Sequence, residues 1–233
     1  MKSLTFSNGF STSFKLAKSQ FFRILGAWIL WLLTIWIPYI NVGTTIGLIQ
    51  IQIDVGKGKI INPADIFNAN HRAVMGKMFL LWSFMTTGIM IGLLFLVIPG
   101  IVLMYAWLFS SMLILDKKLD PIQAMSKSYE ITYRHKWTIF FIILVIPLLF
   151  YAIWFFFIFT FPVIFHLKYS WQNFVFDAFY NGYRPFAGTY IGFLLYSFIY
   201  FLPNIIFILI QSIWMTAAYG YMYSVLSADI KKK

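Results

Sequence analysis

Four apolar stretches run through this 233-residue chain without one charged side chain: Ile24 to Ile53, Met78 to Leu115, Trp137 to Phe165 and Phe186 to Leu226. Together they hold well over half of the residues. Water does not tolerate so much apolar surface on so short a chain. A helix crossing bilayer hydrocarbon needs about 20 apolar residues, and each stretch is longer than that. Because lipid offers backbone groups no hydrogen-bond partners, the expectation is an all-α, polytopic membrane helical bundle. Only 11% of the residues are charged, against about 25% in soluble domains. The longest polar interval, Asp54 to Lys77, is too short to build a core of its own, so residues 1–233 read as a single integral membrane domain.

The net charge is +11, yet the cations sit at the ends of the apolar runs. That placement fits the positive-inside rule and attraction to anionic headgroups, with no nucleic-acid partner. Lys2, Lys15, Lys18 and Arg23 form one cluster, and Lys57, Lys59, Arg72 and Lys77 a second. Lys117, Lys118, Lys127, Arg134 and Lys136 form a third, and Lys231 to Lys233 a fourth. The segment His166 to Pro185 carries only Lys168 and Arg184, with Asp177 offsetting one of them. The bias places the four basic segments and both termini in the cytoplasm and the fifth segment outside.

The predicted spans are 24–39 and 42–53, a hairpin bent near Pro38 and Asn41-Val42-Gly43; 78–98 and 100–115, turning at Pro99-Gly100; then 137–161 and 203–226. Residues 186–202 read as interfacial, re-entrant or an extra span, since the last apolar stretch is about twice one crossing. Six spans follow, with seven as the alternative.

Asn62-Pro63-Ala64-Asp65 and Asp120-Pro121-Ile122-Gln123 each set a capping residue, a proline at the first helical position and a polar residue three after the cap. Each predicts about four turns of helix before a span. Ile122, Met125, Tyr129 and Tyr133 share one face of the second, and Phe14, Ala17, Phe21 and Leu25 make a similar stripe near the N-terminus. The pattern is an interfacial amphipathic helix followed by a hairpin, three times over. It is open to two readings, internal duplication or the common look of any chain that re-enters a membrane.

The run from Asp65 to Trp137 contains Asp65-Ile66-Phe67, Ile98-Pro99-Gly100-Ile101, Asp116, Ala124-Met125-Ser126-Lys127-Ser128 and Arg134-His135-Lys136-Trp137. It resembles the glycerophosphoryl diester phosphodiesterase membrane-domain family and its stand-alone bacterial integral-membrane relatives. Members have a proline-glycine hairpin, a juxtamembrane Asp and an Ala-Leu-x-x-Ser-type helix before a Lys-Trp pair; here Met125 stands in place of the Leu. The resemblance covers roughly a third of the chain and otherwise extends only to layout. It implies a protein of the bacterial cytoplasmic (inner) membrane. In members that are enzymes the chemistry belongs to a separate soluble domain, so no catalytic residue carries over.

Ionisable groups buried in spans mark ion paths and hydrolytic sites, and the apolar stretches have none. Cysteine is absent, which excludes disulfides and thiolate chemistry. His71, His135 and His166 are scattered without carboxylate neighbours and read as headgroup contacts, not metal ligands. Ser126 and Ser128 read as helix-face residues. No catalytic, cofactor or metal site is expected.

The expected function is non-enzymatic: a scaffold, accessory or lipid-interacting subunit, with other membrane proteins as further partners. Its cytoplasmic face holds anionic lipid through Lys57, Lys59, Arg72, Lys117, Lys118, Lys127, Arg134 and Lys136. The alternative is a transporter or permease component for an uncharged or amphiphilic solute such as a lipid or peptide. Asn204 and Gln211, seven apart on one helix face, would then line a polar path; interhelical hydrogen bonding is their plainer reading. Immunity to a membrane-active peptide is a third option. Trp28, Trp31, Trp36, Trp137, Trp154 and Trp171 read as interface anchors.

Overall fold

The computed structural model describes residues 4–164, 187–228 and 230, and every element among them is helical. In chain order they are α1 (Phe6–Ser19), α2 (Phe21–Thr34), α3 (Pro38–Gly56), a short 3-10 helix (Pro63–Phe67), α4 (Asn70–Phe95), α5 (Val97–Ala106) and α6 (Ser110–Lys117). Then follow α7 (Pro121–Thr132), a 3-10 turn (Tyr133–His135), α8 (Lys136–Ile164) and α9 (Ala187–Ser227). Four helical runs are long and apolar enough to cross a membrane: Asn70–Phe95, Val97–Lys117, Pro121–Phe156 and Asn204–Ser227. A fifth is present if α1 and α2, bent by 79° at their junction, count as one broken span.

The chain forms two compact units, Met1–Val145 with Ser212–Lys233, and Ile146–Gln211. In the larger unit, Ala17 of α1, Ile24 and Ala27 of α2, Leu48, Ile51 and Val55 of α3, Ile61 and Ile66 beyond it, and Ile213 and Ala217 of α9 bury one another. In the smaller unit, Trp154 and Phe207 bring the two helical segments together, with ring centroids 5.6 Å apart.

Several boundaries differ from the sequence expectation, each for a local reason. The first hairpin turns at residues 35–37, with Pro38 at the first turn of α3, and Asn41-Val42-Gly43 lies inside the helix. Pro38 needs no hydrogen-bonded N–H there, and the Asn41 amide donates back to the Ile35 carbonyl at 3.3 Å. The return leg is thus the 19-residue α3 and not residues 42–53, and it is not among the runs long and apolar enough to cross.

The second hairpin turns at Leu96, whose backbone is extended (φ −162°). Pro99 and Gly100 sit within the opening of α5, where a missing N–H costs nothing. The glycine serves proximity: a Cβ on Gly92 would lie 3.0 Å from Gly100 Cα. Residues 100–115, expected as one span, are α5 and α6 with a break between them.

The Asn62 cap accepts the Ala64 N–H at 3.2 Å, but it opens only the five-residue 3-10 helix. The N-terminal stripe Phe14–Leu25 is interrupted at Gln20 (φ −120°, ψ 22°), where α1 gives way to α2. The Gln20 side chain donates to the Lys59 carbonyl at 2.9 Å and accepts the Ile61 N–H at 3.1 Å, pinning that corner to the chain beyond α3. Finally, residues 187–202 and the expected span 203–226 belong to one 41-residue helix, α9, which continues through Pro203-Asn204. The external loop expected at residues 166–185 lies outside the described residues.

Candidate functional site

The polar interval Asp54 to Lys77 does not hang free. Ile66 is buried against α3, where a Cβ on Gly47 would stand 2.5 Å from Ile66 Cα. Pro63 rests on α2, 3.1 Å from where a Gly26 Cβ would be. This seats the 3-10 helix on the α2–α3 hairpin and leaves a cavity of about 720 Å³ among α3, the 3-10 helix, α4 and α6. Its lining includes Gln50 and Asp54 of α3, Asp65 and Asn68, His71 and Lys77 of α4, and Lys118 at the end of α6. A second cavity of about 260 Å³ shares Asn68 and His71 and reaches Thr34, Thr44 and Arg72.

Charges around the larger cavity are unevenly matched. Asp54 Oδ2 accepts the Gln50 amide at 2.9 Å. Asp54 Oδ1 faces Lys59 Nζ at 3.0 Å but is buried without a hydrogen bond. Lys77 donates to Asp120 at 2.7 Å. Asp65 and Lys118 have no ion-pair partner among the described residues. Lys118 caps α6 with φ 55° and ψ 30°, the left-handed conformation that ends a helix and is uncommon outside glycine and asparagine. His71, expected at headgroups, is instead 7% exposed, and its Nε2 lies 3.1 Å from the Asp65 carbonyl oxygen.

A second polar node ties distant parts of the chain together. Asp116 pairs with Lys57, holds Lys117 Nζ at 3.2 Å and accepts the Tyr223 hydroxyl at 2.9 Å. Nearby, a Cβ on Gly56 would overlap the Gly220 carbonyl, so the backbones of α3 and α9 touch there. Small residues allow this approach, as they do in membrane helix pairs.

The eight cations expected to hold headgroups therefore divide. Lys57 and Lys117 are committed to Asp116, Lys59 to Asp54, and Lys127 to Glu130 at 2.5 Å. Arg72, Lys118 and Arg134 pair with no carboxylate among the described residues. Lys136 lies over two rings, its Nζ 4.8 Å from the Tyr129 centroid and 5.2 Å from that of Tyr133. Beside it, Ile122, Tyr133 and Trp137 are 70%, 61% and 75% exposed. Asn204 and Gln211 are half-buried, and neither lines the cavities above.

Ser128 has a role that its reading as a helix-face residue missed. It is fully buried; its hydroxyl donates to the Ala106 carbonyl at 2.8 Å and accepts the Phe109 N–H at 3.2 Å. Thr132 reaches the same carbonyl at 3.3 Å. These two hydroxyls satisfy the backbone where α5 breaks before α6. The signal was the four-residue spacing of Ala124, Ser128 and Thr132, a small-residue face beside the bulky one. The tryptophans also divide: Trp28 donates to Thr216 at 3.1 Å and Trp31 to Thr45 at 3.0 Å, while Trp36 and Trp137 are exposed. Trp171 lies outside the described residues.

Among the described residues no three His, Asp or Glu side chains are grouped to hold a metal. No protein-family model, curated protein or solved structure matches the chain.

Proposed function

We propose that this chain is a non-enzymatic, multi-pass protein of a bacterial cytoplasmic membrane that binds anionic lipid on its cytoplasmic face, as a scaffold or accessory subunit. An even number of crossings with both termini inside accompanies this reading, and α7 lies at the interface. The observation that carries it is the run from α7 into α8. Ile122, Tyr129, Tyr133 and Trp137 expose apolar and aromatic surface beside Arg134 and the ring-stacked Lys136. Amphipathic rings settle at headgroup level, and nearby cations gain about 1 kcal/mol each from an anionic surface. The resemblance of residues 65–137 to a membrane-domain family accords with a membrane role.

The cations left without carboxylates carry the interaction. Replacing Arg72, Arg134 and Lys136 together by Gln should lower the phosphatidylglycerol and cardiolipin that co-purify in native nanodiscs by up to about a hundredfold. Replacing the carboxylate-bound Lys59 and Lys127 instead should change them little. An unchanged lipid profile in the triple variant would remove the proposal.

A further inference from the structure

We infer that the 720 Å³ cavity among α3, the 3-10 helix, α4 and α6 is a binding site for a phosphoethanolamine group, a primary ammonium joined to a phosphate. Its volume lies within the range of small-molecule sites, about 300–1,000 Å³. The argument is one of charge left over. Asp54 and Lys77 line this space but spend their charge on Lys59 and Asp120, at 3.0 and 2.7 Å. What remains is one carboxylate, Asp65, and one ammonium, Lys118, both exposed at the rim of the same cavity and not paired with each other.

A simple anion would satisfy Lys118 and meet an unmatched Asp65. A simple cation would do the reverse, and no three-carboxylate or histidine cluster supports a metal among the described residues. A zwitterion satisfies both. The lining contains no Trp, Tyr or Phe, so the aromatic box that a quaternary ammonium prefers is missing. It offers acceptors suited to an N–H-bearing amine instead: the Asp65 carboxylate and the Gln50 amide oxygen. Donors for phosphate come from Lys118 and from the Asn68 amide, whose carbonyl oxygen is already taken by the Asn70 N–H at 3.0 Å.

The group has two sources, the headgroup of a phosphatidylethanolamine or the free solute. The lipid source rests on the membrane reading above; the free one does not. The test uses the full chain in detergent micelles, with Asp65→Asn and Lys118→Gln as near-isosteric variants checked for unchanged thermal unfolding. Native mass spectrometry compares phosphatidylethanolamine, phosphatidylcholine and phosphatidylglycerol of identical acyl chains, and calorimetry titrates O-phosphoethanolamine.

The wild-type chain should prefer the ethanolamine lipid about tenfold over the other two. D65N should erase its advantage over phosphatidylglycerol, and K118Q should weaken its retention about tenfold. Binding of O-phosphoethanolamine, lost in both variants, would assign the headgroup alone; silence there with lipid selectivity intact would assign the lipid. Equal retention of choline and ethanolamine lipids together with no titration of the free solute overturns the site, as does a profile indifferent to both substitutions. The Arg72/Arg134/Lys136 variant should leave the ethanolamine preference intact, so failure of the outer basic face and failure of the cavity are separable.

Discussion

At Ser128 a single hydroxyl replaces a turn of helix. Its donation to the Ala106 carbonyl and its acceptance from the Phe109 N–H close the backbone account of a buried break. An unpaired buried donor costs about 1–3 kcal/mol, so Ser128→Ala should lower stability by about that amount. Thr132→Val should cost less, because Thr132 sits 3.3 Å from the carbonyl and accepts nothing from Phe109. Reversible unfolding in mixed micelles would rank the two; equal losses would place the clasp elsewhere. The residue types were readable from the sequence, and their partners were not. Ser128 meets Ala106 across 22 positions, a separation that helical periodicity does not encode. Gln20 shows the same limit, since its amide finds partners about 40 residues downstream.

Helices here are placed by glycine as much as by apolar patterning. Gly220 and Gly56 let α9 and α3 meet backbone to backbone. A methyl group has no room there, and overpacking of this kind costs about 1–3 kcal/mol. Gly220→Ala should therefore destabilise by at least that much. Gly76 of α4 has nothing within 4 Å of an added Cβ, so Gly76→Ala should gain up to about 1 kcal/mol from helix propensity alone. Opposite signs in one unfolding assay would confirm the contrast; a stabilised G220A would refute it. The uncharged stretches announced that helices exist and roughly where, while their ends were misjudged. Pro99-Gly100 looked like a turn because the dipeptide favours one, yet the same residues fit the first turn of a helix and a close crossing at Gly92.

On the scale of the molecule, the membrane reading predicts which ends of the helices face the cytoplasm. Leu96, in the α4–α5 turn and 68% exposed, should face outward, and Asn62 inward. The absence of native cysteine makes single substitutions clean reporters. Leu96→Cys should react with a membrane-impermeant maleimide in intact cells, and Asn62→Cys only after permeabilisation; the reverse labelling would invert the topology. Helices long and apolar enough to cross a bilayer were evident from residue composition and run length. The sites were not, since which lysines remain unpaired depends on carboxylates that folding brings to them. Asp116 reaches Lys57 across 59 positions and Tyr223 across 107.

The burial of Ala17, Ile24, Leu48 and Ile66 against Ile213 and Ala217 also sets an order of events during biogenesis. The inner faces of α1 to α3 are covered only once Ile213 and Ala217, far downstream in the chain, have been made. Until then α1 to α3 expose apolar surface that α9 later covers. A chain stopped short of residue 212 should present that half-dressed hairpin to proteases, read as faster degradation than that of the full chain.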